Sequence, residues 1–292
     1  NEEQLKEACK KVRVFARVSP ENKVQIVKAF EANGNICAMT GDGVNDAPSL
    51  KAADIGIAMG ITGTDVAKSA ADMVLTDDNF ASIEKAVEEG RGIYANIKKT
   101  VIFLLSSNIA EVLAMLFIIV IGLQSPLIAI HLLWVNLITD SLPAIALGMD
   151  PKDPHNMKVP PRDPKEGIFA NGGFIKTIGY GAVITVAVLL SYFACAWIHG
   201  AFTYDAIYNL YQNEDMLHHA QTMAFTTLAI SELFHMLGMS TGDKSIINVF
   251  KKKNIMMLIA FIVGLGFQFF VILTPGVNVI FKTNPRNSNK QK

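Results

Sequence analysis

The sequence predicts an α/β domain followed by an all-α membrane domain, a bundle of five transmembrane helices. Before about Asn96, short apolar segments alternate with helical patterns, and no apolar run reaches the roughly 20 residues that a helix needs to cross a bilayer. After Lys98 and Lys99, several apolar runs reach or approach that length. With 292 residues, 51% hydrophobic content and a mean hydropathy of +0.32, the composition excludes an entirely soluble or disordered chain.

The first part of the chain carries the α/β pattern. A helix is predicted from about Glu21 to Ala32, because Ser19 and Pro20 supply an N-cap and a proline in the first turn. We expect a domain over residues 1–80 and a stalk helix over residues 81–99. The segments predicted as strands are Val12–Val18, Asn35–Thr40, Ile55–Met59 and Met73–Leu75.

Five apolar segments are predicted to cross the membrane within residues 100–273. Lysines and arginines lie between the second and third segments and between the fourth and fifth, which places those loops and the amino-terminal part in the cytoplasm. The basic residues of the polar tail, residues 274–292, conflict with the outer side to which an odd number of spans assigns it. The predicted spans cover about 100–123, 128–147, 174–197, 222–239 and 255–273.

Overall charge and cysteine spacing argue against nucleic-acid binding and against disulfides or a thiolate metal site. Because 26 Lys and Arg balance 26 Asp and Glu, no overall basic field favours nucleic acid. Cys9, Cys37 and Cys195 share no short spacing, so we predict free thiols rather than disulfides or a thiolate metal site.

A glycine- and aspartate-rich stretch, Thr40–Pro48 (TGDGVNDAP), follows a predicted strand and is called the GDG motif below. Asp42 and Asp46 are four residues apart with Asn45 between them, and such oxygen donors can hold Mg²⁺ near phosphate oxygens. Lys23, nineteen residues upstream of Asp42, could neutralise the same phosphate. Taken alone, the first Gly-Asp-Gly is equally compatible with an ordinary tight turn.

Polar side chains within the predicted spans form a second candidate site. A charged group in a bilayer core costs roughly 2.5–3.5 kcal/mol on insertion scales, so each one indicates a function. Pro143 removes a helical hydrogen bond and can free carbonyl oxygens there. On α-helical spacing the residues fall on shared faces of the first and second spans, with one more acid in the fourth: Asn108 with Glu111, Asn136 with Thr139 and Asp140, and Glu232.

This oxygen-only donor set suits a hard cation such as Ca²⁺, with Mn²⁺ as the alternative ion. The side chains without Asn136 suffice for one site, and Asn136 with a shared Asp140 could start a second. Taken singly, Asn108 or Thr139 is better explained by ordinary hydrogen bonding between bundled helices.

The complete GDG motif matches the GDGxNDxP motif of P-type cation-transporting ATPases, which belong to the haloacid-dehalogenase-like superfamily. The resemblance implies a partial Rossmann-like phosphorylation domain in which Asp42 binds Mg²⁺, Asn45 and Asp46 organise the phosphorylation site, and Lys23 contacts the phosphoryl group. The family's nucleophile is the Asp of an Asp-Lys-Thr-Gly-Thr motif that this sequence does not contain. The aspartyl-phosphate would therefore form outside this chain, and ATP would be bound mainly by parts absent from it.

Two further segments carry the resemblance. Thr76–Phe80 is similar to the family's connection between phosphorylation domain and stalk, although Asp78 or Asn79 also fits an ordinary helix N-cap. Ser107–Glu111 and Asn136–Asp140 resemble the ion-binding helices of calcium pumps of the sarco/endoplasmic reticulum kind, which implies two Ca²⁺ sites, the second needing a Glu from a span outside this chain.

The resemblance implies the carboxyl-terminal part of an ATP-driven transporter that moves Ca²⁺ out of the cytoplasm. Its partners would be Ca²⁺, the lipid bilayer and the remaining domains of the same pump, with no nucleic acid. It would be an integral multi-pass protein of a bacterial plasma membrane or a eukaryotic internal membrane. The alternative is a truncated, catalytically silent membrane protein that binds Ca²⁺ or associates with a pump.

Overall fold

The computed structural model describes residues 2–163, 165–241 and 254–283. The chain divides into two units, residues 1–89 and residues 90–292. Two sequence predictions lie outside the described residues: the cytoplasmic lysines between the last two predicted spans, and the tail beyond residue 283. No disulfide joins Cys9, Cys37 or Cys195, as predicted.

The elements of the first unit are α1 Glu2–Lys11, α2 Pro20–Ala32, β1 Ala38–Gly41, α3 Ala47–Ala52, β2 Ile55–Met59, α4 Asp65–Ala70 and β3 Met73–Leu75. The strands form a parallel sheet in the order β1-β2-β3, in which Thr40 pairs with Ile57 and Ile57 with Met73. Helices α3 and α4 cover it, and Leu50, Ala58 and Ala67 form its fully buried centre. The predicted bounds of β2 and β3 are confirmed, whereas β1 is shorter than predicted.

The strand predicted at Val12–Val18 is wrong, because this segment links α1 to α2 without joining the sheet. Arg17 has φ = 55°, a left-handed conformation that breaks an extended run, and Val14 is 80% exposed. The prediction that α2 begins after Ser19 is confirmed: the Ser19 hydroxyl accepts a hydrogen bond from the Asn22 N–H at 3.3 Å.

The second unit is helical, and its first helix begins in the first unit. The predicted stalk and first span are one continuous helix, α5 Phe80–Val120, whose 41 residues extend over about 60 Å. The second predicted span consists of α6 Ala129–Trp134, a π-helical segment Val135–Thr139, and α7 Ser141–Gly148. The remaining helices are α8 Gly173–Ile198, α9 Tyr204–Leu210, α10 Glu214–Thr241, α11 Ile255–Leu273 and α12 Val277–Ile280.

Close packing joins the long helices. Tyr192 of α8 and Phe225 of α10 belong to one buried apolar cluster. Gly181 lets α8 approach α5, since a β-carbon there would lie 2.8 Å from Cγ2 of Ile109 and 3.0 Å from the Ser106 carbonyl oxygen. Small residues at such crossings allow the backbones to come close.

Four helical segments in the described part of the chain are long and apolar enough to cross a membrane: Phe80–Val120, Ala129–Gly148, Gly173–Ile198 and Ile255–Leu273. The segment predicted as the fourth span lies within α10, which is helical throughout but carries more polar side chains. The five-span count therefore stays a prediction.

Candidate functional site

The GDG motif lies where β1 ends and the chain turns into α3. Lys23 of α2 and Asp46 form an ion pair, with Nζ 2.5 Å from Oδ1, and the Gly43 N–H donates to Oδ2 of Asp46 at 3.2 Å. Burial alone would raise the pKa of Asp46. The hydrogen bond and charge of Lys23, together with backbone N–H donors, outweigh burial and hold the pKa below its usual range. Asp46 is therefore ionised, and both of its carboxylate oxygens accept hydrogen bonds from neighbouring residues.

Gly41 is required for this arrangement. A β-carbon at Gly41 would lie 2.5 Å from Cβ and 2.9 Å from Cγ of Asp46, well inside carbon–carbon contact distance. Only glycine leaves room for the buried Asp46 side chain directly behind the end of β1.

Asp42 and Asn45 are exposed at the carboxyl end of the parallel sheet, the edge at which open α/β sheets bind ligands. The Asp42 carbonyl accepts a hydrogen bond from the Thr64 N–H at 2.8 Å, which fixes the backbone and leaves the carboxylate facing outward. An exposed carboxylate beside a Lys–Asp pair fits Mg²⁺, which binds through one or two carboxylates and keeps several waters.

Asp78 has a role that the sequence analysis missed. Its carboxylate accepts hydrogen bonds from the N–H groups of Gly60, Ile61 and Thr62 at 2.6–3.0 Å and from the Thr62 hydroxyl at 2.8 Å. These bonds outweigh desolvation and lower the pKa of Asp78 to about 2. Asp78 therefore fixes the loop after β2, whereas Asn79 caps α5 by accepting from the Ala81 N–H at 3.0 Å.

In the second unit, a hydrogen bond joins one predicted ion-site residue of the first span, Glu111, to one of the second, Asn136. Asn136 Nδ2 donates to both carboxylate oxygens of Glu111 at 3.1 and 3.3 Å, and to the Leu132 carbonyl at 3.0 Å. Asn108 Nδ2 donates to the Leu104 carbonyl at 2.7 Å. Both amide groups use their nitrogen in this way, which leaves their carbonyl oxygens available to a cation.

The helix carrying Asn136 is not a regular α-helix, contrary to the spacing assumed from the sequence. Val135–Thr139 is π-helical, and the Asp140 N–H donates to the Val135 carbonyl, five residues back, at 2.9 Å. Pro143 has no N–H for the Thr139 carbonyl four residues earlier, so that oxygen is freed at the end of the widened turn. Such π turns occur frequently at functional sites.

Three helical segments of the second unit each bury one carboxylate, from Glu111, Asp140 and Glu232. Asp140 interacts electrostatically with Glu111, and Glu232 interacts with both. Glu232 is fully buried, and neither of its oxygens, nor Oδ1 of Asp140, has a hydrogen-bond partner among the described residues. Buried polar atoms without partners are rare, and each calls for an explanation.

The predicted set divides by burial. Glu111, Thr139, Asp140 and Glu232 are buried, whereas Asn108 and Asn136 are exposed. In the part of the chain that the structure describes, no group of three or more His, Cys, Asp or Glu side chains is arranged to hold a metal ion. Any ion site would therefore draw on amide, hydroxyl and carbonyl oxygens besides the acids.

Two further polar side chains were not predicted. The Ser107 hydroxyl, next to Asn108, and both polar atoms of the Gln268 side chain are buried without partners among the described residues. Each is a polar residue in an apolar run, a signal that the sequence did contain for both positions.

Both parts of the chain match known protein families. Residues 124–290 match the family model described as cation transporting ATPase, C-terminus, and residues 4–54 match the haloacid dehalogenase-like hydrolase model. The chain is 52% identical over 276 residues to "Calcium-transporting ATPase 1" of Bacillus cereus and 45% identical over 283 residues to "Calcium-transporting ATPase" of Bacillus subtilis. It is 52% identical over 190 residues to "Calcium-transporting ATPase 1" of Lactococcus lactis.

These matches cover 92%, 97% and 65% of this chain, respectively. The chain spans about 30% of the length of the two Bacillus proteins and 22% of the Lactococcus protein. The apolar helices and the matched family together make it a multi-pass membrane protein. The chain belongs to the cation-transporting ATPase family, whose carboxyl-terminal region it contains.

Proposed function

We propose that this chain is part of an ATP-driven P-type transporter that moves Ca²⁺ out of the cytoplasm. The observation that carries the proposal is the burial of Glu111, Asp140 and Glu232 in helices around a π-helical turn, where oxygens on Asp140 and Glu232 have no hydrogen-bond partner among the described residues. The names of the relatives support Ca²⁺ as the ion.

The ion site follows from the chemistry of these oxygens. Ca²⁺ takes six to eight oxygen ligands, and buried carboxylates without hydrogen-bond donors are suited to a cation that replaces those donors. The freed Thr139 carbonyl and the carbonyl oxygens of Asn108 and Asn136 add neutral ligands. Since both amide side chains are exposed, they can share a second ion with ligands from outside this chain, as in the sarco/endoplasmic reticulum kind of pump.

At the other site, Asp42 would hold Mg²⁺, which neutralises phosphate charge when bound. Lys23 and Asp46 already form a rigid pair beside it, so Lys23 is positioned by Asp46 and Asn45 is held on the same turn. An acyl phosphate formed on an Asp outside this chain would face this edge of the sheet. We propose a bacterial plasma membrane as the location, since the named relatives are bacterial. The first unit would be cytoplasmic, as the lysines and arginines of the loops predict.

The test is Ca²⁺-dependent phosphorylation of the intact protein by ATP, comparing wild type with Asp140→Asn. Because Asp140 is 2% exposed and lies among the other carboxylates, we expect the variant to lose Ca²⁺-dependent phosphorylation. Asp205→Asn, the same change at an exposed position in α9, is the control and should behave like wild type.

Normal calcium dependence in Asp140→Asn would overturn the ion-site assignment. Adding Mn²⁺ as a competitor identifies the ion. If Mn²⁺ activates phosphorylation and Ca²⁺ does not, the ion of the proposal is wrong and the pump mechanism stands.

A further inference from the structure

The Asp150 carboxylate lies just after α7 and joins four helices. Oδ2 forms an ion pair with Nζ of Lys99 on α5 at 2.7 Å, and the Asp150 side chain is fully buried. Oδ1 accepts from the Ser240 hydroxyl near the end of α10 at 2.9 Å and from Nδ2 of Asn254 at 3.1 Å. Asn254 is the N-cap of α11, where its Oδ1 accepts from the Met257 N–H.

The backbone around Asp150 is held by the same group of residues. Asn96, one turn before Lys99 on α5, donates through Nδ2 to the Asp150 carbonyl at 2.7 Å and to the Gly148 carbonyl at 3.3 Å. These two carbonyl groups lie at the end of α7, where no following turn of helix supplies an N–H donor to them. Asn254 Nδ2 lies 3.5 Å from the Ala146 carbonyl. Asn96, Lys99, Asp150, Ser240 and Asn254 are called the Asp150 junction below.

Charge and helix dipoles favour this arrangement. The Lys99 ammonium lies near the carboxyl end of α7, and the Asp150 carboxylate lies at the amino end of α11, which are the ends that attract a cation and an anion respectively. A buried carboxylate with both oxygens bonded is rigidly placed, whereas removal of one partner leaves an uncompensated buried charge. Movement of one helix at this point therefore displaces the others or breaks charge-assisted bonds.

Each helix that contributes an ion-site acid also contributes to the Asp150 junction. Lys99 precedes Glu111 by 12 residues on α5, Asp150 follows Asp140 by 10 residues, and Ser240 follows Glu232 by 8 residues on α10. At 1.5 Å per residue, the helical separations on α5 and α10 are about 18 and 12 Å. The junction therefore joins the three acid-bearing helices at one level, away from the acids themselves.

We propose that Asp150 and Lys99 are positioning residues that couple ion occupancy to movement of α5, the helix that continues into the first unit. This inference rests on the proposed function. Coupling requires two states in which the linked sites differ in affinity, and a junction of charge-assisted bonds is an element that either holds or releases as a whole.

The experiment uses the intact protein and measures two quantities: equilibrium binding of radioactive Ca²⁺ and the rate of Ca²⁺-activated phosphoenzyme formation from ATP. In Asp150→Asn and Lys99→Met we expect Ca²⁺ binding within about twofold of wild type, and phosphorylation slowed by roughly 5- to 150-fold, the usual range of coupling between sites. The double variant should be no slower than either single variant, and Lys99→Arg should retain the rate.

Two further variants keep the test decisive. Asp163→Asn is the matched control, since this exposed carboxylate bonds to the N–H of Lys165 two residues on, and it should match wild type. If Asp150→Asn does not accumulate in the membrane, Ser240→Ala takes its place, because it removes one hydrogen bond to Oδ1 of Asp150. This variant should slow phosphorylation to a smaller extent and retain Ca²⁺ binding.

A parallel loss of Ca²⁺ binding and phosphorylation would overturn the coupling role, because a merely structural residue would affect both. An active wild type with an unchanged Asp150→Asn variant would overturn it as well. A wild type without Ca²⁺-activated phosphoenzyme would instead overturn the proposed function, and this inference with it.

Discussion

Replacing Gly41 with alanine tests the packing behind the GDG motif. The added β-carbon would lie 2.5 Å from Cβ of Asp46, whereas carbon atoms in contact are about 3.5–4.0 Å apart. Asp46 or the turn that carries it must therefore move by about 1 Å. The Lys23–Asp46 ion pair at 2.5 Å and the Gly43–Asp46 hydrogen bond at 3.2 Å cannot both survive such a shift.

The expected loss of local stability comes mainly from overpacking, which costs about 1–3 kcal/mol. The ion pair adds little to this figure, because the Lys23 side chain is 36% exposed and solvent screens the attraction. Hydrogen exchange of the α3 amides should therefore accelerate by roughly 5- to 150-fold, since 1.4 kcal/mol corresponds to a factor of ten.

The assay is hydrogen exchange of the folded protein, read over the peptide that contains α3. Gly43→Ala is the matched control, because a β-carbon there would lie 3.5 Å from Oδ2 of Asp46, an ordinary contact, and Gly43 has φ = −107°. Equal exchange in the two variants, or no acceleration in Gly41→Ala, would refute the argument that Gly41 makes room for Asp46.

Two other predictions concern other parts of the molecule. Gly181→Ala should lower the free energy of unfolding of the second unit by about 1–3 kcal/mol, because the added β-carbon would collide with Ile109. Gly179→Ala is the control, since a β-carbon there would have no atom within 4 Å. Equal melting temperatures of the two variants would contradict the prediction. The carboxylate of Asp78 should stay ionised as the pH falls through 3.8, the ordinary pKa of an aspartate, and should protonate only near its own pKa of about 2. The stability that its bonds to the 60–62 loop contribute is therefore fully present above pH 3.8 and is lost as the pH falls towards 2. A carboxyl NMR titration measures this pKa, and a midpoint near 3.8 would be the contrary result.

Several elements could be predicted because their cause is local. The bounds of β2 and β3 follow from short runs of β-branched and apolar residues, and α2 begins where Ser19 and Pro20 place it. The segment Val12–Val18 is also rich in β-branched and apolar residues but does not join the sheet, because a strand also needs a neighbour with free N–H and C=O groups.

The features that were missed depend on partners distant in sequence. Asp78 bonds to groups 16–18 residues away, so its sequence context, at the start of a helix, suggested a cap instead. The π turn at Val135–Thr139 depends on which carbonyl each N–H selects, and apolar periodicity does not encode that choice. Asp150 follows a helix like many surface acids, and its four-helix environment is visible only after folding.

Asp150 and Glu232 show why burial alone does not identify an ion ligand. Both carboxylates are buried, yet both oxygens of Asp150 are bonded to donors from other helices, whereas neither oxygen of Glu232 has a donor among the described residues. A buried carboxylate without donors costs free energy unless a proton or a cation compensates it, and a fully bonded one has no such requirement. Hydrogen-bond satisfaction therefore supports the two proposals, that Glu232 serves the ion and that Asp150 positions helices, although the two residues carry the same functional group.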